Sequence, residues 1–279
     1  MLYYEKLYPG AVSLFDGELD QIVRSAAAAR GMLDGMDPLT GQPTRFTYRG
    51  SVFREDLYAD GSESMARHRS LMCGLSLGAF GHPFAALPRL ADRIGERNMR
   101  LYLAEWNTPL EHMLRDRLAA DRFVCSEYFG ERYRSGDFVG GVLHQDLMST
   151  SFEDASFDVI VTSEVLEHVP DATRAEREIV RILRPGGLYV FTVPIDVYAE
   201  EDKVLAELGA GGSLVLHGPP VYHGDPKRPE GILAYRIFSV AGLTRRFTEL
   251  GCSITTYRFW SKMFGLLGEE NIVNVMRKP

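Results

Sequence analysis

Acidic side chains recur in this chain where apolar, strand-like runs stop. Glu105 ends the run in MRLYLAEW, Glu127 the run in FVCSEY, Asp146 follows VLHQ, and Ser163 and Glu164 follow FDVIVT. In an open parallel sheet, ligands bind beyond the carboxyl ends of the strands, so residues just past each strand are the ones to read. Glu127, 22 residues after Glu105, is placed to accept both hydroxyls of a ribose in bidentate fashion. Trp106, Asn107, Tyr128 and Leu147 stand beside these acids and belong to the same expected binding surface.

Proton-transfer chemistry has fewer candidates. His168 in SEVLEHVP and His223 in VYHGDP are the bases best placed to take a proton from a bound molecule, with Tyr222, Asp225 and His217 behind them. Each has a plainer reading, His168 as part of a helix start and His223 as part of a Gly/Pro turn. Glu164, Glu167 and His168 also form an ExxEH set, whose i, i+3 and i+4 spacing places them on one face of a helical turn. Carboxylate oxygens suit magnesium, and His223 could complete such a site, although no metal is the leading expectation. Asp158, which enters the FDVIV run, is expected to be structural.

From Met99 onward, short β-rich runs alternate with helical stretches. Strands are expected near 100–104, 122–126, 139–144, 157–162 and 188–193, with helices between them. That pattern implies right-handed βαβ units and a parallel sheet covered on both faces. Two further strands, near 253–259 and 271–277, are joined too closely for a crossover helix and should pair antiparallel at one edge. The loop after the first of these strands, EWNTPLE, has no glycine. Asn107 is the non-glycine type that best tolerates a positive φ. Thr108-Pro109-Leu110-Glu111 reads as a capping box with proline at the first helical position.

Bulk properties narrow the classes. The chain has 279 residues, a formal charge of −7 and a pI near 5.6, which argues against a nucleic-acid surface. The arginines in REDL and AERE alternate with acids and read as solvated faces. Cys73, Cys125 and Cys252 are isolated, so neither a disulfide framework nor a zinc knuckle is indicated. The sequence shows no secretory signal and no apolar run near the ~20 residues of a membrane helix; the expectation is a cytoplasmic protein.

Taken in order, CSEYFG, HQDL, SFDVIVTSEVLEHVP and LRPGGLYVFTVP resemble a class I S-adenosylmethionine (SAM) dependent methyltransferase over roughly residues 98–279. They are nearest to a poorly characterised bacterial group of SEYFG, EHVP and PGG type that carries a YHGDP segment further on. The resemblance implies a Rossmann-like α/β fold: a seven-stranded sheet, mostly parallel with an antiparallel last strand. It implies SAM as cofactor and S-adenosylhomocysteine (SAH) as product. Asp146 would then meet the adenine amino group, and Ser163 and Glu164 would line the methionine end. The ExxEH set resembles the magnesium motif of ubiquinone-pathway and small-RNA methyltransferases. In the domain plan, residues 1–97 form a mainly helical extension, either an acceptor lid or a homodimerisation arm. Residues 98–279 form the methyltransferase domain, with an insert at about 196–235. The expected reaction is methyl transfer to a small-molecule acceptor, at oxygen, in a biosynthetic pathway. The alternative is a SAM-binding domain that does not methylate, because every loop glycine of the usual first motif is replaced. Neither nucleic acid nor a membrane is an expected partner.

Overall fold

The computed structural model describes residues 2–9, 13–50, 52–225 and 228–279. Its centre is a nine-stranded sheet. From one edge to the other the strands are Tyr3–Leu7, Ser253–Trp260, Ile272–Arg277, Leu183–Thr192, Phe157–Ser163, Leu101–Leu103, Phe123–Glu127, Val142–His144 and Phe138–Val139. The five strands from Leu183–Thr192 to Val142–His144 are mutually parallel. Ile272–Arg277 runs antiparallel to both of its neighbours. The expected seven strands are therefore flanked by two more. Tyr3–Leu7 pairs antiparallel with Ser253–Trp260, which is thus not an edge strand. The expected strand near 139–144 is a hairpin, in which Phe138–Val139 folds back on Val142–His144 through Gly140 and Gly141, both at positive φ.

Strand order reverses at Leu101–Leu103, whose neighbours are Phe157–Ser163 and Phe123–Glu127. This is the switch point where an open α/β sheet opens a crevice at its carboxyl end. Helices cover both faces. With α1 at Gly17–Arg30 and a short α2 at Phe53–Asp56, the helices α3 (Ala66–Phe80), α4 (Leu87–Glu96) and α5 (Pro109–Arg115) follow in the chain. Leu71 and Leu75 of α3, Leu90 and Ile94 of α4, and Leu110 and Leu114 of α5 pack with Val159, Val190 and Val273 of the sheet. On the other face α6 (Ala172–Ile182) and α7 (Val240–Glu249) bury Ile179, Leu243 and Phe247 against Ile160, Tyr189 and Phe191. Each side chain points to its layer because alternate residues of a strand face opposite sides.

Residues 1–97 are not simply helical. Strands Met32–Asp37, Gln42–Tyr48 and Leu57–Ala59 form a small antiparallel sheet beneath α1, with Ala27, Leu33, Phe46 and Leu57 in its core. The first two of these strands are joined by a turn at residues 38–41, with Gly41 at φ 74°. Helix α3 lies close against the main sheet because Gly74 and Gly78 face it. A Cβ at 74 would sit 2.5 Å from Val273 Cγ1, and one at 78 would sit 2.7 Å from Leu188 Cδ1. The apolar face of this helix thus serves as one layer of the core. Among the described residues, no helix is long and apolar enough to cross a membrane.

Candidate active site

The carboxyl ends of the parallel strands open into a cleft of about 2010 Å³. All nine residues expected to bind a cofactor line it: Glu105, Trp106 and Asn107 after the first strand, Glu127 and Tyr128 after the second, Asp146 and Leu147 after the third, and Ser163 and Glu164 after the fourth. His168 and His223 line it too, as does Tyr222. His217 is elsewhere, 3.1 Å from Glu207 on the hairpin of Ala206–Leu208 and Leu214–Leu216. The Asp225 side chain lies outside the described residues.

The first loop turns as its residues dictate. Asn107 has φ 62°, Thr108 Oγ1 accepts from Glu111 N at 3.3 Å, and α5 starts at Pro109. One half of the capping box is absent. Glu111 is buried and pairs instead with Arg115, 2.6 Å away and four residues on. The turn survives without glycine because a left-handed Asn and a threonine cap supply what glycines otherwise would. Below it, Tyr102 and Ser126 share a buried hydrogen bond of 2.7 Å that ties the first strand to the second.

At the second strand, Glu127 is half-buried, and one of its carboxylate oxygens accepts from Tyr128 N at 2.9 Å. Asp146 accepts from Met148 N at 2.8 Å, which fixes the turn after the third strand. Asp158 accepts from Arg100 N and pairs with Arg184, each at 2.7 Å, a structural role as expected.

Two cations that the sequence reading missed enter from the N-terminal region. Arg54 pairs with Glu164 at 2.6 Å and with Glu55 at 2.8 Å. Arg67 donates to Ser163 Oγ at 3.1 Å, lies 3.3 Å from Glu55 and comes within 3.9 Å of Glu105. The REDL segment is therefore not a solvated face: Arg54 is only 13% exposed and its charge is matched inside the cleft. Nor is AERE, since Glu176 is buried on Arg246. Charge alternation alone does not distinguish a surface pair from a buried one, because the partners lie 110 and 70 residues away in the chain. His68 is buried with Nε2 4.0 Å from Glu105, and desolvation, with Arg67 and Arg69 nearby, pushes its pKa well below 6.5.

The ExxEH set does not form one face. Glu164 takes φ 52° and turns to Arg54, while Leu166–His168 is a separate 3₁₀ turn. Burial by itself would raise the Glu164 carboxyl, but Arg54 and then Arg67 outweigh it and hold it low. What comes together is Glu167, His168 and His223. Glu167 Oε1 lies 3.7 Å from His168 Nε2 and 3.5 Å from His223 Nδ1, and the two rings meet at 84° with centroids 4.9 Å apart. Burial, reinforced by the Glu164 charge, raises the Glu167 carboxyl. The Glu167 carboxylate in turn raises His223 against the opposing effect of desolvation. Magnesium at the ExxEH set does not fit these contacts, because one of its two carboxylates is already matched by an arginine.

Comparison with known proteins finds similarity in the central segment. A family model described as a methyltransferase domain matches residues 122–191. An uncharacterized methyltransferase of Mycobacterium sp. (strain JLS) is 49% identical over 95 residues, 33% of this chain and 36% of the relative. The 27-O-demethylrifamycin SV methyltransferase of Amycolatopsis mediterranei is 46% identical over 79 residues, 26% of this chain and 29% of the relative. The match spans about a third of these curated relatives' length. A SAM-dependent methyltransferase of known structure from Mesorhizobium loti is 16% identical, with a TM-score of 0.40 over 67% of this chain and 98% of that one. The domain match and these relatives support the class I SAM-dependent methyltransferase resemblance, and SAM as the cofactor that goes with it. The matched segment contains Glu127, Asp146, Ser163, Glu164 and His168; Glu105 and His223 lie outside it.

Proposed function

We propose that the whole chain is a SAM-dependent methyltransferase acting on a small molecule, at oxygen. The observation that carries this reading is the convergence of Glu105, Glu127, Asp146 and Ser163 on one cleft at the switch point of a sheet whose central segment matches a methyltransferase domain. The residues fit the cofactor. Glu127, at the strand end that lines the cleft, would hold the ribose hydroxyls. Asp146 would meet the adenine amino group, and Glu105 and Ser163 would line the methionine end. SAM supplies an already activated methyl group on a sulfonium. What remains for the protein is to orient the acceptor, activate its oxygen and exclude water.

The acceptor side is assigned to Glu167, His168, His223 and Tyr222, because the insert brings His223 over the cleft to meet the 3₁₀ turn. Arg54 and Arg67 also line it, so the N-terminal region and the insert both wall the cleft. An acceptor with an oxygen nucleophile suits this wall of imidazole, carboxylate and phenol groups. A biosynthetic O-methylation is the context we favour, in keeping with the rifamycin-type relative.

The test is titration calorimetry of the full chain with SAM and with SAH, followed by transfer of a labelled methyl group from SAM to a panel of small hydroxylated acceptors. Binding of both ligands with label transfer supports the reading. Failure of either ligand to bind at millimolar concentration overturns it. Binding with no transfer to any acceptor class favours the non-methylating alternative.

A further inference from the structure

A buried carboxylate ordinarily answers its desolvation with hydrogen bonds. Glu176 does so, its two oxygens sharing the Nε–H of Arg246 at 3.0 and 2.9 Å. Glu167, equally buried, has no well-formed hydrogen bond to either carboxylate oxygen among the described residues; the nearest donor is His223 Nδ1, at 3.5 Å. Taking such a charge out of water costs several kcal/mol unless opposite charge is brought to it. What faces it is a pair of imidazoles, and one donor atom from each of Glu167, His168 and His223 lies within 4.8 Å of the other two.

The orientation of His168 makes this more than a cluster. Its Nδ1 bonds to Leu233 O at 2.8 Å. A carbonyl can only accept, so Nδ1 carries a proton, and in the neutral ring the lone pair is on Nε2, the atom facing Glu167 at 3.7 Å. A backbone carbonyl holding the far nitrogen is the outer contact that fixes the tautomer of metal-ligating histidines. The ring of His223 meets that of His168 edge to face rather than stacking on it, and its Nδ1 points at the same carboxylate oxygen, 3.5 Å away.

We propose that Glu167, His168 and His223 bind one divalent transition-metal ion, with a position left open toward the cleft. Two neutral imidazoles and one carboxylate suit ions such as zinc, manganese or ferrous iron better than magnesium, which prefers oxygen throughout. Bonds of about 2.0–2.2 Å hold such ligands roughly 3.0–3.4 Å apart, so the three donors need only a small inward movement. His223, partly exposed on its hairpin, can supply it. Glu164, three residues before Glu167, is not a ligand, because Arg54 holds it at 2.6 Å. Three protein ligands with an open position would take an oxygen of the acceptor and favour its deprotonated form. That role rests on the methyltransferase reading; binding of the ion does not.

The full chain, stripped of metal with a chelator, is dialysed against zinc chloride and its metal content measured, with calorimetric titration of zinc in parallel. One zinc per chain is expected, with affinity at least tenfold weaker in both Glu167→Gln and His223→Ala. His217→Ala, which removes the His217–Glu207 pair on the neighbouring hairpin, should leave zinc binding unchanged. Excess magnesium should not displace it. Glu167→Gln keeps the shape and removes a buried charge, so its metal-free melting temperature should match or exceed the parent's, which separates lost ligation from lost folding. The proposal is overturned by substoichiometric zinc, by zinc that survives both site substitutions unweakened, or by zinc that disappears with His217. SAM titrated onto the metal-free chain reports on the methyltransferase reading separately, so the two can fail independently.

Discussion

Glu127 and Asp158 are both acidic, both half-buried and both on strands, yet the structure gives them different work. Asp158 spends its carboxylate on Arg100 N and Arg184 at the amino end of its strand. Glu127 ends its strand in the cleft, at the place proposed for the ribose hydroxyls, with one oxygen accepting from Tyr128 N. Glu127→Ala should therefore weaken SAM binding by about 1.5–3 kcal/mol, roughly 10- to 100-fold, through loss of charge-assisted hydrogen bonds. Asp158→Ala should leave affinity near the parent value and lower the melting temperature instead. Equal affinities for parent and Glu127→Ala in calorimetry would show that the ribose is held elsewhere. His68 offers a second test at this scale. Its folded pKa lies well below the 6.5 of an ordinary histidine, so the folded chain resists a proton that the unfolded chain accepts. The stability this histidine contributes is present above pH 6.5 and declines as pH falls below it. His68→Gln should flatten that acid limb in denaturant melts between pH 7 and 5; an unchanged slope would mean that His68 does not control it.

Among the elements, the turn into α5 is where local chemistry replaces the missing glycines. Thr108→Ala removes the cap on Glu111 N and should cost about 1 kcal/mol in chemical denaturation. Asn107→Gly should be tolerated at φ 62°, whereas Asn107→Val should cost more than the threonine change, because a β-branched residue fits that conformation badly. A Val variant as stable as the parent would refute the left-handed turn. This turn was legible in the sequence because asparagine, threonine and proline each act on their own backbone. The positions of Glu105, Glu127, Asp146 and Ser163 were legible for a similar reason: a β-rich run followed by an acid locates a strand end. The ExxEH set was misread, because spacing assumes a helix, whereas Glu164 takes a positive φ and pairs with Arg54, 110 residues away in the chain. The hairpin at 138–144 was also missed, since two-residue pairing leaves almost no periodic signal.

At the scale of the whole molecule, the division at residue 97 is a boundary of sequence pattern and not of packing. The helical spacing of 66–80 was readable, but its partner was not, since Gly74 and Gly78 look like helix weakeners until Val273 and Leu188 are set against them. Leu71, Leu75, Leu90 and Ile94 share one core with Leu101, Val159, Val190 and Val273. Arg69 adds a buried clamp, its guanidinium donating to Leu57 O, Phe264 O and Gly265 O at 3.0, 2.8 and 3.1 Å. Removing residues 1–97 would strip one helical layer from the sheet and orphan the carbonyls of 264 and 265. Each fully buried leucine-sized side chain is worth about 1.5–3 kcal/mol, so losing the four named here exceeds half or more of the roughly 5–15 kcal/mol that stabilises a typical domain. Residues 98–279 expressed alone should therefore give aggregated or molten material, without a cooperative thermal transition and without SAM binding. A chain beginning at 60, which keeps α3, α4 and Arg69 but loses Arg54, should retain a cooperative transition and lose the wall that faces Glu164. A monomeric 98–279 fragment that melts cooperatively and binds SAM would instead make the first 97 residues an appendage, and the shared core described here would be wrong.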